Sequence, residues 1–149
     1  MNVKQVIITR KDLNMRKGKI VSQASHASMA AVICPDNYVV DGEKADGYHF
    51  EASYVENGII KEEVLVTHMV DECLKYWLQN SFAKISLFVN SEEELLKLRD
   101  EAAAKNMRHS LIEDNGKTEF GGVKTNTCLA IGPHLSEDID KMTGHLGLL

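Results

Sequence analysis

Cysteine is scarce in this chain of 149 residues, which has only three. Cys34, Cys73 and Cys128 lie far apart in the sequence, and none belongs to a Cys-x-x-Cys pair. An odd number of cysteines without such spacing argues against a disulfide framework and against a zinc site. We therefore expect free thiols and a reducing, cytoplasmic location.

Long apolar runs are missing as well. No run approaches the roughly 20 residues that a helix needs to cross a bilayer, and the first ten residues lack the apolar segment of a secretory leader. The six histidines show no His-Glu-x-x-His spacing, and there is no Gly-rich Walker loop. These absences predict no membrane partner, no metal and no cofactor, and they rank a generic nucleotide-binding domain last among the candidate functions.

The sequence does contain enough apolar material for a folded domain. Its hydrophobic content of 44% is ordinary for a globular chain and argues against disorder. A chain of this length buries a sizeable core. We therefore expect a single domain over residues 1–149.

Charge is distributed unevenly along the chain. The net charge is −5, yet residues 1–19 carry six cations and only one acid, Asp12. The six cations are Lys4, Arg10, Lys11, Arg16, Lys17 and Lys19. Binding of a polyanion depends on where cations lie rather than on their sum, so this end of the chain remains a candidate nucleic-acid interface.

Apolar periodicity predicts alternating strands and helices. Short apolar or β-branched runs predict strands over residues 3–9, 84–89, 109–113 and 127–132. Helical spacing predicts helices over residues 18–32, 64–80, 91–105 and 136–142. Ser91 and Glu94 are spaced as a capping box, and Ser136 and Gly144 are expected to cap and to stop the last helix.

Residues 35–63 interrupt this pattern. They hold eight acids, two lysines and many turn-forming residues. We expect an inserted hairpin or loop here, with Glu56-Asn57-Gly58 at its turn.

The order of elements predicts a three-layer α/β sandwich, because strands separated by helices favour right-handed parallel crossovers. Ligands in such sheets bind at the carboxyl ends of the strands. Residues 10–19 follow the first strand, and Asp114 follows the third. Thr127 joins the same edge if the last strand runs antiparallel, so we expect these three segments to converge.

Lys19 occupies an unusual position for a cation. In the first turn of a helix it faces the positive end of the helix dipole, at a cost of about 0.3–1 kcal/mol when exposed. With the free N–H groups after Gly18, the Lys-Gly-Lys run is able to hold a phosphate or a developing oxyanion. The alternative is a solvated surface whose charges have no function.

Asp114 and the polar residues around it have both functional and structural interpretations. A cation near Asp114 would keep its carboxylate ionised as a candidate base, whereas Asp-Asn-Gly is also ordinary turn chemistry. Gln23 and His26 follow Lys19 along the same helix. Each is either a contact for a ligand or a residue packed for structural reasons. Thr118, Thr125 and Thr127 are hydrogen-bond donors or routine strand residues.

Three blocks of this sequence form a set of motifs: TRKDLNMRKGKIVSQASHAS, then LIEDNGKTEFGG followed by TCLAIGP, and last IDKMTGHLGLL. In this order they resemble the type-two, archaeal and eukaryotic-type peptidyl-tRNA hydrolases. The resemblance covers roughly residues 1–34 and 64–149. It implies a four-stranded mixed sheet flanked by helices, a homodimer, and metal-independent hydrolysis of the ester between a peptide and the 3′ ribose of tRNA.

The resemblance also implies roles for individual residues. The catalytic residues carried over are Lys19, Asp114, Thr118 and Thr127, and the tRNA-binding residues are Arg10, Arg16, Lys17, Gln23 and His26. Counting forward from Asp114 leaves one extra residue in this chain, which would favour Thr125 or Asn126 in place of Thr127. The cation cluster would meet tRNA phosphates, with an affinity that falls as salt rises.

The chain departs from the family pattern at two places. The acidic insertion 35–63 has no counterpart in the compact members, and Glu119 stands where a neutral amide is typical. Two alternatives therefore stay open. One is a catalytically silent RNA- or protein-binding module of the same fold, and the other is a hydrolase of a different acylated tRNA or nucleotide.

Overall fold

A computed structural model shows an α/β fold with a central four-stranded sheet, whose strands lie side by side in the order Lys84–Val89, Val3–Arg10, Thr125–Leu135 and His109–Asp114. The structure describes residues 1–37, 39–40, 43–44, 48–66 and 70–149. In the central sheet, the strands are β1 (Val3–Arg10), β6 (Lys84–Val89), β7 (His109–Asp114) and β8 (Thr125–Leu135). The helices are α1 (Lys17–Ile33), α2 (Glu72–Asn80), α3 (Glu92–Ala104) and α4 (Ser136–Thr143).

The sheet is mixed, as expected. Strand β1 runs parallel to β6, and β8 runs antiparallel to both β1 and β7. The C-terminal ends of β1 and β7 therefore meet the N-terminal end of β8 at one edge of the sheet. This arrangement confirms the strand directions on which the predicted convergence depends.

Two apolar layers cover the two faces of the sheet, because successive side chains of a strand point to opposite sides. Val6 and Ile8 pack with the apolar residues of α3 and α4, whereas Ile7 packs with Ala27 and Ala31 of α1. Helix α2 lies on the α1 side, where Leu74 and Trp77 contact Val3. The three-layer sandwich predicted from the element order is thus confirmed.

The predicted helix over residues 64–80 is wrong in its first part. Strand β5 (Ile59–Val66) occupies that segment and pairs with β4 (Tyr48–Glu56), while α2 begins only at Glu72. Asp71 caps α2, because its carboxylate accepts a hydrogen bond from the Leu74 N–H at 2.7 Å. Helix α2 is therefore about half as long as predicted.

The hairpin in the acidic insertion is confirmed, with a different end. Asn57 and Gly58 form its turn with φ of 53° and 77°, which is the left-handed backbone that Asn and Gly adopt most readily. The hairpin continues to Val66, beyond the predicted boundary at residue 63. A further short pair, β2 (Val39–Val40) and β3 (Glu43–Lys44), precedes it.

Helix capping was predicted correctly at one helix and wrongly at another. The Ser91 hydroxyl accepts from the Glu94 N–H at 3.2 Å, as the capping box requires. Ser136 does not cap α4, which begins at that residue, and its hydroxyl instead donates to Oδ1 of Asn2 at 3.1 Å. The end of α4 at Gly144 agrees with the prediction.

No helix among the residues that the structure describes is long and apolar enough to cross a membrane.

Candidate active site

A cleft of about 710 Å³ opens at the edge of the sheet where β1, β7 and β8 were expected to converge. One wall is the N-terminal half of α1, and the other is the loop between β7 and β8. The residues that line it are Arg16, Gly18, Lys19, Ser22, Gln23, His26, Asp114, Asn115, Lys117, Thr118 and Glu119.

The chain reaches this cleft through a short connection after β1. A 3₁₀ turn, Lys11–Leu13, ends at Asn14, whose φ of 49° lies in the left-handed region. Helix α1 then starts with no acidic residue in its first turn and no side-chain cap on Arg16. Its positive end therefore faces the cleft without a capping side chain from its own residues.

Lys19 and Asp114 form the centre of the cleft. The ammonium Nζ of Lys19 lies 2.7 Å from Oδ1 of Asp114 and 2.9 Å from the hydroxyl of Thr118. The two charged side chains are only 13% and 11% exposed. Because the pair is largely shielded from water, its Coulomb attraction is stronger than that of a surface ion pair.

The carboxylate of Asp114 accepts two further hydrogen bonds. Nε2 of Gln23 donates to Oδ1 at 3.2 Å, and the N–H of Gly116 donates to Oδ2 at 2.9 Å. These donors favour the ionised form. The hydrogen bond from Lys19, which is the largest cause, together with those from Gly116 and Gln23, holds the pKa of Asp114 below its usual value.

Thr127 lies beneath the cleft and is fully buried. Its hydroxyl donates to Oε1 of Gln23 at 2.6 Å, which orients the Gln23 amide so that its Nε2 points at Asp114. Thr125 instead donates to the carbonyl of Val123, and Asn126 donates to Glu92. Among the three candidates for the last site position, Thr127 is the one joined to the Lys19–Asp114 pair.

The structure brings together most, but not all, of the predicted site residues. Lys19, Asp114 and Thr118 meet in the cleft, and Arg16, Gln23 and His26 line it. Arg10 lies elsewhere, because its guanidinium pairs with Asp12 at 2.7 Å and donates to the carbonyl of Asn126. Lys17 is exposed at the start of α1 and is not among the lining residues.

The sequence reasoning missed three lining residues: Ser22, Asn115 and Lys117. Ser22 lies three residues after Lys19 and four before His26, which places it on the same face of α1. Helical spacing was therefore a signal that would have found it. Lys117 lies in a turn held by the Lys117 N–H, which donates to Oδ1 of Asn115 at 3.1 Å.

Glu119 also lines the cleft and is paired with Arg16. Its Oε1 lies 2.7 Å from Nε of Arg16. The hydrogen bond from Arg16 is the main reason that the pKa of Glu119 lies below its usual value, and the nearby charge of Lys19 contributes. Both acids of the cleft therefore stay ionised at neutral pH.

The arrangement suits attack on an electrophilic carbonyl. An ammonium group stands ready to stabilise a developing oxyanion, and an ionised carboxylate 2.7 Å away is able to orient a water molecule. The start of α1 and the cation Lys117 also border the cleft and favour an anionic substrate, whereas the N–H and guanidinium of Arg16 already donate to Glu119.

Comparison with known proteins agrees with this chemistry. A family model described as peptidyl-tRNA hydrolase PTH2 matches residues 3–149. A peptidyl-tRNA hydrolase of Haloquadratum walsbyi is 34% identical over 146 residues, covering 98% of this chain and 99% of that protein. One from Methanocaldococcus jannaschii is 33% identical over 147 residues, covering 99% of this chain and 100% of that protein. A probable peptidyl-tRNA hydrolase 2 of Drosophila melanogaster is 31% identical over 148 residues, covering 99% of this chain and 62% of that protein. The match over nearly the whole length confirms the family that the three sequence blocks predicted, and the chain belongs to the peptidyl-tRNA hydrolase PTH2 family.

Proposed function

We propose that this chain hydrolyses the ester bond between a peptide and the 3′ ribose of tRNA, with Lys19 and Asp114 as the central catalytic residues. The observation that carries the proposal is the contact of Lys19 Nζ with both Asp114 and Thr118 in the cleft. The three side chains come from α1, from the last residue of β7 and from the loop that follows it, so the fold holds two distant segments in one catalytic geometry.

In this mechanism water attacks the acyl carbon and the bond from that carbon to the ribose 3′ oxygen breaks. Lys19 stabilises the oxyanion of the tetrahedral intermediate, and Asp114 accepts a hydrogen bond from the attacking water. One proton of the water ends on the 3′ oxygen as the leaving hydroxyl. The peptide leaves as a carboxylic acid, which ionises in solution.

The low pKa of Asp114 favours an orienting role over full proton abstraction. A general base works best when its pKa lies near the working pH, and the hydrogen bonds to Asp114 move its pKa the other way. We therefore assign Asp114 to hold and align the water. Thr118 keeps Lys19 in place, and Thr127 acts as a positioning residue through Gln23.

The tRNA-binding residues follow from the same geometry. Arg16, Gln23 and His26 line the cleft and would lie next to the 3′ end of the substrate. Lys17 is exposed beside them, where it is able to meet a backbone phosphate. Arg10, paired with Asp12, would act on tRNA only after leaving that partner.

The proposal has a direct test. Release of labelled peptide from an N-blocked aminoacyl-tRNA is measured in EDTA for the wild type, Lys19→Ala and Asp114→Ala. We expect EDTA-resistant turnover that falls by about 10²–10⁴-fold in each variant, the usual effect of losing such a group. Lys105→Ala is the matched control, because it removes a lysine–carboxylate pair with Glu101 at the end of α3, outside the cleft.

Unchanged turnover in both cleft variants would contradict the proposed mechanism. Turnover that EDTA abolishes would contradict the metal-independent reaction. A folded wild-type protein that binds tRNA without turnover would favour the alternative of a silent binding module.

A homodimer and a cytoplasmic location belong to the same proposal. Support for self-association comes from an apolar groove of about 510 Å³ between α1 and α2, in which Val21, Met29 and Phe82 are 64%, 62% and 55% exposed. Exposed apolar surface of this kind marks interaction sites. Light scattering should give the mass of two chains for the wild type and of one chain for Met29→Asp.

A further inference from the structure

Glu119 and Arg16 form an ion pair in which the two side chains differ strongly in solvent exposure. The carboxylate accepts from Nε of Arg16 at 2.7 Å and from the backbone N–H of Arg16 at 3.4 Å. The Glu119 side chain is only 13% exposed, whereas that of Arg16 is 79% exposed. Glu119 is therefore enclosed by the cleft wall, and Arg16 lies over it from the solvent side.

Glu119 also lies where an anion would otherwise bind. Arg16 is the N-cap residue that immediately precedes α1, and its backbone N–H donates to Glu119 rather than to a side chain of the same helix. The positive end of a helix attracts anions, and the guanidinium of Arg16 is well shaped to grip a phosphate. The carboxylate thus takes two donors that a phosphate of the substrate would use.

Charge in the cleft is nearly balanced as a result. Lys19 is matched by Asp114, and Arg16 is matched by Glu119. Of the lysines and arginines that line the cleft, Lys117 is the remaining one. Each positive charge that contacts a phosphate increases the affinity for tRNA, and this part of the affinity falls as the salt concentration rises.

We infer that Glu119 is a specificity-determining residue that withholds Arg16 and the start of α1 from tRNA phosphates. This inference rests on the proposed function of the cleft in binding tRNA. By lowering the affinity for the phosphate backbone, Glu119 makes tight binding depend more on the acylated 3′ end. Deacylated tRNA, the product, has no acyl group to contact the cleft, so it binds more weakly than the substrate and dissociates readily.

An ion pair with one exposed partner, Arg16, is suited to this role. Such a pair is individually weak, so its removal is expected to change phosphate affinity by a modest factor rather than to create or abolish binding. The guanidinium of Arg16 is the solvent-exposed partner, while Glu119 is largely enclosed and holds its charge at the cleft wall. The carboxylate therefore opposes a phosphate whether or not Arg16 has moved.

The test measures binding of deacylated tRNA by fluorescence anisotropy between 50 and 200 mM KCl, concentrations that span about the range in which phosphate contacts lose strength. The proteins are the wild type, Glu119→Gln, Arg16→Gln and the double variant. Glu119→Gln keeps the shape of the side chain and removes its charge. The matched control is Glu137→Gln, which removes one charge from a pair with Lys141 on α4 at the opposite edge of the sheet.

We expect Glu119→Gln to lower the Kd for deacylated tRNA by about 3- to 10-fold at the lowest salt, and to steepen the slope of log Kd against log salt by about one. Glu137→Gln should change neither quantity by a comparable amount. Arg16→Gln should weaken binding little in the wild type and strongly in the Glu119→Gln background, because only there is the guanidinium available to phosphate.

Three results would overturn the inference. An unchanged Kd and salt slope in Glu119→Gln, with normal binding by the wild type, would reject the role of Glu119 while leaving the proposed function intact. The same would follow if Arg16→Gln had equal effects in both backgrounds. Absence of salt-dependent tRNA binding by every protein would reject the proposed function together with the inference. Thermal unfolding of each variant establishes that the comparison is between folded proteins.

Discussion

Lys19 Nζ and Asp114 Oδ1 lie 2.7 Å apart although the two residues are separated by 95 positions in the chain. Both side chains are mostly withdrawn from solvent. A lysine in the first turn of a helix is unfavourable by itself, because it faces the positive end of the dipole. The carboxylate of Asp114 and the hydroxyl of Thr118 offset that cost, so the catalytic geometry and the local stability of α1 depend on the same contacts.

The first prediction concerns the pH dependence of stability. The pKa of Asp114 is lower in the folded protein than its usual value of 3.8, so near that pH the unfolded chain binds more protons at this group than the folded one. The stability that Asp114 contributes is therefore complete well above 3.8 and is lost as the pH falls through the lower folded-state pKa. We expect urea unfolding between pH 7 and pH 3 to show a smaller acid loss of stability in Asp114→Asn than in the wild type.

If the free energy of unfolding fell equally with decreasing pH in the two proteins, the Lys19–Asp114 contact would not shift the pKa of Asp114. Asp138→Asn is a useful comparison. The pKa of Asp138 is also below its usual value, chiefly because of the hydrogen bond from Lys141. Asp138 lies on α4 and does not line the cleft. That variant should leave turnover unchanged, whereas Asp114→Asn should not.

The second prediction separates Thr127 from Thr125. Thr127→Val removes the hydroxyl that orients Gln23, and the buried Oε1 of Gln23 then loses its 2.6 Å donor. We expect kcat to fall by about tenfold or more, with a smaller change in KM, because a misplaced side chain costs transition-state stabilisation. Thr127→Ser keeps the hydroxyl and should restore most of the activity.

Thr125→Val is the control for that prediction. The Thr125 hydroxyl donates to the Val123 carbonyl, outside the network of Lys19 and Asp114. Its kinetics should stay close to those of the wild type. A larger loss of kcat in Thr125→Val than in Thr127→Val would mean that Thr125, and not Thr127, is the threonine that takes part in the active site.

Much of the fold was predictable because local pattern and global arrangement agree. The strand periods of β1 and β6, the capping box at Ser91 and the Asn57-Gly58 turn each express short-range physics that survives in the folded chain. The convergence of the segments that carry Lys19 and Asp114 was predictable from strand order and direction, whereas their direct contact was not. Once β8 runs antiparallel, the two segments must share an edge of the sheet.

The predictions of secondary structure and helix capping were wrong where a contact with a distant part of the chain determines the local structure. Residues 64–66 have spacing that suits a helix or a strand, and their pairing with residues 48–50 in the hairpin favours the strand. Ser136 has the chemistry of a helix cap, but its N–H donates to the Asn2 carbonyl at 2.9 Å and its hydroxyl contacts the same residue. At the site, the guanidinium of Arg10 pairs with Asp12 and is not among the lining residues of the cleft, and its role in tRNA binding stays a prediction.

The third prediction concerns thiol reactivity. Burial raises the pKa of Cys128 to about 11, whereas Cys34 and Cys73 are partly exposed. At pH 8 only about one Cys128 in a thousand would carry the reactive thiolate. Native-state alkylation followed by peptide mass spectrometry should therefore modify Cys128 far more slowly than the other two. All three should react at similar rates in denaturant, and rapid native labelling of Cys128 would contradict its buried position.

The fourth prediction tests whether the loop between β7 and β8 must keep its exact course. Gly116 has a φ of +79°, and a Cβ added there would lie 2.2 Å from the carbonyl oxygen of Val123. Its N–H also donates to Asp114, and the loop that it begins carries Thr118. Gly116→Ala should therefore displace both groups from Lys19 and lower kcat/KM by about 10²-fold or more, because small misplacements of catalytic groups are costly.

Gly121→Ala is the matched control for the loop. Gly121 also has a positive φ, of +59°, but an added Cβ would meet nothing within 4 Å. That substitution carries only the backbone strain, about 1 kcal/mol of unfolding free energy, and should leave most of the activity. Steady-state hydrolysis and urea unfolding of both variants give the comparison. Equal losses of activity would mean that strain alone matters, whereas a selective loss in Gly116→Ala would show that the close approach of Gly116 to Val123 holds Asp114 and Thr118 in register with Lys19.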